Sequence, residues 1–132
     1  LPHAPELPGL ILNEPHGTNI FSGIKKQIAY SQKQEKEMKK IIDKDTYIIQ
    51  GGDILGRIKL REPRKVNLNE FIDLEYAHMV EGEEREKRWP EETEFLVYEF
   101  DITKKFEKPL ELEENSTNSK TKNIIKGVRT KK

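Results

Sequence analysis

The feature that most constrains this chain is a pair of glycines, Gly51-Gly52, set between two runs of β-forming residues. Thr46-Tyr47-Ile48-Ile49-Gln50 precedes them and Asp53-Ile54-Leu55-Gly56-Arg57-Ile58-Lys59-Leu60 follows. A two-residue hairpin turn needs positive φ angles, which glycine adopts without steric penalty, so the segment is predicted to be a β-hairpin. In the second run Ile54, Gly56, Ile58 and Leu60 alternate onto one face, with Leu55, Arg57 and Lys59 on the other. One side of this strand is therefore built for a core and the other carries a basic pair.

Other elements arrange themselves around the hairpin. Residues 9–12 form a short apolar run that reads as a first strand, broken by Glu14-Pro15. Ile20, Phe21 and Ile24 suit one short helix with Gly23 at its C-terminal end, and residues 27–30 read as a strand. Residues 31–45 are almost all polar, with Lys33, Lys36, Lys39, Lys40 and Lys44 among acids, which fits a solvated helical turn or a loose loop. Asn67 and Glu70 have capping-box spacing, and Leu68, Phe71, Ile72, Tyr76 and Met79 continue at helical intervals. Residues 81–88 pair opposite charges three and four apart, so a second short helix follows and ends at Trp89-Pro90. Trp89 is expected to anchor one end of the core. Residues 95–102 are a strongly apolar strand, which residues 106–112 extend or flank. The order β, α, β, β, β, α, α, β predicts an α+β domain on a small sheet able to close on itself.

Composition sets the limits. At 132 residues one domain with one modest core is expected, and only 33% of the residues are hydrophobic against 36% charged. With no cysteine there is no disulfide framework, thiol nucleophile or cysteine-based zinc site. His3, His16 and His78 lack metal-ligand spacing, so neither metal nor cofactor is expected. No run approaches a membrane span and none resembles a secretory signal, so a cytoplasmic protein without a membrane partner is expected. Pro2, Pro5 and Pro8 make residues 1–8 an extended lead-in to a domain spanning 9–114. Residues 115–132 read as a basic flexible tail, with Ile124, Ile125 and Val128 too few to build an element. Asn115-Ser116-Thr117 matches a glycosylation sequon, which without a signal peptide is taken as chance. The chain does not begin with methionine, which leaves open a fragment or a processed product.

The neutral total charge is unevenly spread. Residues 1–66 hold 12 basic and 8 acidic side chains, 67–114 hold 6 and 16, and 115–132 hold 6 and none. A uniformly basic nucleic-acid binder is excluded, whereas a bipolar molecule with one phosphate-facing side is not. The acidic helix over 67–88 is a second candidate surface, suited to a basic protein partner.

Taken in order, these elements resemble the ASCH domain family of the PUA-like group. The resemblance rests on the strand and helix from Leu10 to Ser22, the Gly-x-Lys at Gly23-Ile24-Lys25, the hairpin ending Gly56-Arg57-Ile58-Lys59-Leu60, and the acidic helix before Trp89-Pro90 and the long strand. It covers about 9–113. It implies a small PUA-like β-barrel with short flanking helices that binds RNA or modified nucleosides. Some members of the group are small amidohydrolases on acylated cytidine. The family pattern Gly-x-Lys-x-x-Glu-x-Arg has Ile28 here at its acid and Tyr30 at its arginine. In the hydrolases a threonine three places after the lysine takes part, and that place is also Ile28. The resemblance thus carries over only Lys25, and a binding domain is expected rather than an enzyme.

The residues expected to line a basic cleft are Lys25, Lys26, Tyr30, Lys33 and Arg57. The lysines and arginine would supply charge to phosphate, and Tyr30 a ring on which a base stacks. In an enzyme, Lys25 would be the activated group, its pKa depressed by burial or by a cationic neighbour such as Lys26. Asn13 and Thr18 flank the cleft as hydrogen-bonding candidates. His16 would serve as a general base only if the fold brings it to Lys25. Glu70, Glu75, Glu83, Glu84 and Glu86 read as a solvated helical face.

Overall fold

A computed structural model describes residues 6–113, 117–118 and 123–129. His3, most of the lead-in, Asn115-Ser116 of the sequon and much of the basic tail lie outside these residues. In chain order the elements are β1 (Gly9–Ile11), α1 (His16–Phe21), β2 (Gln27–Ser31), α2 (Glu35–Met38), β3 (Asp45–Gln50), β4 (Asp53–Leu60), β5 (Arg64–Asn67), α3 (Leu68–Asp73), α4 (Glu75–His78), α5 (Gly82–Arg88), β6 (Glu94–Glu111), β7 (Thr117–Asn118) and β8 (Ile124–Gly127). Single turns of 3-10 helix, Gln32–Gln34 and Lys39–Ile41, flank α2.

The Gly-Gly hairpin forms as predicted, with φ of 60° at Gly51 and 83° at Gly52, and it lies in the middle of one mixed sheet. The strand order is β2-β6-β4-β3-β1-β8-β7. β1 runs parallel to β3, and the other pairs are antiparallel. β6 is long enough to serve two partners on one edge. β5 pairs with its start, Asn67 opposite Glu94, and β4 with its remainder, from Leu60 opposite Phe100 to Asp53 opposite Glu111. Its other edge pairs with β2. Register shifts in β3–β4 and β4–β6 mark irregularities of the kind that bend strands. The sheet curls into a half-barrel, and the fold is α+β, as expected.

Ile54, Gly56, Ile58 and Leu60 are all buried, as alternation predicts. They do not share one core. Ile58 and Leu60 join the main cluster with Leu10, Ile28, Tyr30, Phe71 and Phe95, whereas Ile54 joins a smaller one with Ile49, Ile125 and Val128. A register shift between Ile54 and Gly56 separates the two groups. Gly56 itself is needed for close approach: a Cβ there would collide with the Lys104 carbonyl and come within 2.6 Å of the Phe21 ring. Gly56→Ala is therefore expected to cost about 1–3 kcal/mol, the usual range for overpacking. A urea titration showing an unchanged midpoint would contradict that close packing.

Four parts of the sequence reading need correction. Residues 31–45 are neither loose nor wholly solvated, because α2 and its flanking turns bury Met38 and Ile41 in the main cluster. β5 was not anticipated. The acidic region 67–88 is three short helices rather than one long helix and a second. Its capping box forms as predicted, with Asn67 and Glu70 exchanging both bonds, but the helical run is interrupted at Leu74 and ends at Met79, whose φ is 61°. His78 explains that ending: it is fully buried, stacks on Phe71 with ring centroids 4.1 Å apart, and bonds the Phe71 carbonyl and the Val80 amide. The chain must turn to put that imidazole inside.

Part of the segment expected to be a flexible tail is built into the sheet. Ile124, Ile125 and Val128 are buried, and Ile124–Gly127 is a strand on the free edge of β1. Three apolar residues suffice because the sheet already supplies a hydrogen-bonding edge and two apolar faces. Among the described residues no helix is long and apolar enough to cross a membrane.

Candidate functional site

Lys25 enters the interior through the turn after α1. Gly23 ends that helix with φ of 86°, and the amides of Ile24 and Lys25 both donate to the Asn19 carbonyl. The tight reversal turns Lys25 inward, leaving it 3% exposed, while Lys26 points out and its amide ties to the Ala77 carbonyl of α4. The Lys25 ammonium donates to the His78 carbonyl and forms no ion pair among the described residues.

Lys25 lies on the wall of a cavity of about 240 Å³. The curl of the sheet brings β1 and β2, far apart in strand order, to the same cavity. Ile11 and Leu12 with Asn13 line one side, and Ile28, Ala29 and Tyr30 the other. His16 from α1, Arg88 from α5, Val80 and Asn123 complete it. Apolar and polar residues share the wall, with Asn13, His16, Lys25, Arg88 and Asn123 converging on it from separate parts of the chain. Placed polar groups of this kind fix the orientation of a small ligand.

The polar groups form one connected array. His16 Nε2 lies 2.9 Å from both carboxylate oxygens of Glu84, and Arg88 donates to Glu84 at 3.0 Å from one helical turn away. Burial pushes the Glu84 carboxyl up, but the bonds from His16 and Arg88 outweigh it and hold the group below the ordinary carboxylate range. Glu84 is therefore ionised and accepts the Nε2 proton of His16. The imidazole Nδ1 is left buried with no partner among the described residues.

Burial lowers the Lys25 amine to about 7, with Glu84 opposing and Arg88 adding to the fall. His78, behind it, is pushed down to about 4 chiefly by burial, against the bond to the Phe71 carbonyl and with Lys25 and His16 adding to the fall. Its two bonds need one donor and one acceptor nitrogen, which only the neutral ring supplies.

Of the five residues expected to share one basic cleft, only Lys25 and Tyr30 line this cavity. Tyr30 is 1% exposed, and its ring is met by the edges of Trp89 and Tyr98 at centroid distances of 6.3 and 6.4 Å, so it offers no free face for stacking. Burial pushes its phenol up to about 12, with the Arg88 guanidinium opposing. Lys33 is 81% exposed and pairs with Glu92 at 3.6 Å, beside a shallow acidic depression. Arg57 lies on the opposite face of β4 from Ile58, 4.0 Å from Asp45 and over the Tyr47 ring. Thr18 is held by Gln50 and does not line the cavity, whereas Asn13 does.

The fold does bring His16 to the cavity of Lys25. Glu84, read as part of a solvated face, is instead the centre of the array. Arg88 and Asn123 were missed; Glu84 and Arg88 at i and i+4 were the one local signal, and it is common on exposed helices. No group of three or more His, Cys, Asp or Glu suited to a metal occurs among the described residues. Compared with known protein families and with curated proteins, the chain matches neither a family model nor a curated sequence.

Proposed function

We propose that this chain is a cytoplasmic PUA-like domain of the ASCH kind that binds RNA or a modified nucleoside. The observation that carries the reading is the cavity between β1 and β2, where Asn13, His16, Lys25, Arg88 and Asn123 converge beside Ile28, Ala29 and Val80. At about 240 Å³ it lies below the roughly 300 Å³ at which drug-sized pockets begin, which suits one base or nucleoside at a time. Recognition is then by hydrogen bonds at the edge of the base, because the Tyr30 ring is enclosed.

An amide-NMR titration with short single-stranded RNA and a set of modified nucleosides at low salt tests this. Shifts confined to Asn13, His16, Lys25, Tyr30 and Asn123 are expected, with about tenfold weaker binding in Lys25→Ala, equivalent to about 1.4 kcal/mol. Silence at these positions would end the reading.

A second reading is favoured by one feature, the buried amine of Lys25 with its lowered pKa. It is hydrolysis of an amide on acylated cytidine, with Lys25 as the activated group. Turnover in wild type, absent in Lys25→Ala, supports it. Equal background in both rejects it and leaves the binding domain.

A further inference from the structure

We infer that the Lys25 end of the cavity is an anion-recognition point, so that the ligand presents a phosphate or carboxylate oxygen to the Lys25 ammonium and is bound together with a proton. The inference deepens the nucleoside reading by naming the group of the ligand that enters first.

Among the described residues, the charged and titratable groups around Lys25 are Glu84 and Arg88 of α5, His16 of α1, His78 of α4 and Tyr30 of β2. Glu84 is the one carboxylate among them, and both its oxygens are already engaged by His16, one also by Arg88. His78 is locked neutral by its two bonds, and the raised pKa of Tyr30 keeps it neutral. Two cations, Lys25 and Arg88, therefore share a single anion that is already bonded elsewhere. A buried ammonium has three donors, and Lys25 uses one of them on a backbone carbonyl. Buried charges are normally paired, because leaving one unpaired costs several kcal/mol. The cavity beside Lys25 is where a missing acceptor fits, and Arg88 on the same wall supplies a second cation.

The proton follows from the same geometry. Without an anion the amine is mostly neutral above about pH 7. An anion at contact favours the charged form and raises its pKa, so binding above pH 7 draws in a proton. Affinity then falls as pH rises, by up to about tenfold per pH unit, until the bound-state pKa is reached. Lys25→Arg, charged at every accessible pH, removes the uptake and keeps the attraction.

Isothermal titration calorimetry on the wild-type chain decides this, with sulfate, acetate, cytidine and cytidine monophosphate as probes. Each is measured at pH 6.5 and 8.5 in two buffers of different ionisation enthalpy. The expected result is that sulfate and the monophosphate bind, cytidine binds at least tenfold more weakly, and close to one proton is taken up at pH 8.5. Acetate binding more tightly than the monophosphate would support the anion point and assign it to carboxylates. Sulfate and the monophosphate binding equally would support the anion point and end the nucleoside reading. Cytidine equal to its monophosphate, with sulfate silent and no buffer dependence, would overturn the anion point and leave the nucleoside reading standing. Absence of heat and of NMR shifts with every probe would overturn both.

Discussion

Raising the pH from 7 to 10 is expected to stabilise this protein against urea, and replacing Lys25 with methionine is expected to abolish that gain. In the unfolded chain the Lys25 amine holds its proton up to its ordinary value near 10.5, whereas in the folded chain it releases it near 7. Between those values the unfolded state binds more protons, so stability rises with pH, by up to about 1.4 kcal/mol per unit. Across the window this amounts to about 2–4 kcal/mol. Below pH 7 both states carry the charge and the full cost of burying it is present. His78 adds a second slope: the unfolded imidazole charges below about 6.5 and the folded one only near 4, so stability falls further as pH drops between them. Above pH 10 the trend reverses, because Tyr30 and Tyr98 have raised values when folded and ionise first in the unfolded chain. Urea midpoints of wild type and Lys25→Met at pH 5, 7 and 9.5 separate the terms. The difference between the two proteins should move by a few kcal/mol between pH 7 and 9.5; a constant difference would mean that Lys25 is not a buried, uncompensated amine.

Trp89→Ala is expected to be the most damaging single truncation, at about 3–5 kcal/mol. The side chain is 6% exposed and meets Tyr30, Phe71 and Phe95 edge to face, with centroid distances of 6.3, 6.2 and 5.8 Å. Set against a domain stability of about 5–15 kcal/mol, that loss takes a large share. The indole also carries Arg88, whose guanidinium sits 4.3 Å from the ring centroid while it bonds Glu84. Removing the ring therefore loosens the array that holds His16. Trp89→Phe keeps most of the packing and should cost less than half as much. A loss below 1 kcal/mol in the alanine variant, measured by urea unfolding followed through far-UV circular dichroism, would place Trp89 outside the core.

The expectation for Trp89 as an anchor was readable because a tryptophan before proline, at the end of a charged helix and ahead of an apolar strand, has few other uses. Lys25 was readable as a candidate from Gly-x-Lys, but not as a buried amine, since lysines in sequence look alike. Its burial depends on the left-handed turn at Gly23 and on α4 lying against the following residue, as the bond from Lys26 to Ala77 records. Glu84 shows the opposite difficulty. Its neighbours Glu83 and Glu86 are equally acidic, and only the helix's rotation against α1 selects the one that meets His16.

By itself, the sequence determined what local chemistry decides: the Gly51-Gly52 hairpin, the alternation of β4, the capping box at Asn67 and the helix end at Gly23. Each depends on backbone preference or on groups a few residues apart. Tertiary structure decided which strands meet and what the curl encloses. It placed β8 on β1, divided one edge of β6 between two neighbours, hid Tyr30, and put His16 of α1, Arg88 of α5 and Lys25 of the turn after α1 around one cavity, with Glu84 of α5 bonded to the first two. Those outcomes rest on edges to be paired between residues as distant in sequence as Gly9 and Ile125, and on polar groups to be matched across 68 positions, as His16 is with Glu84, and no local pattern encodes them.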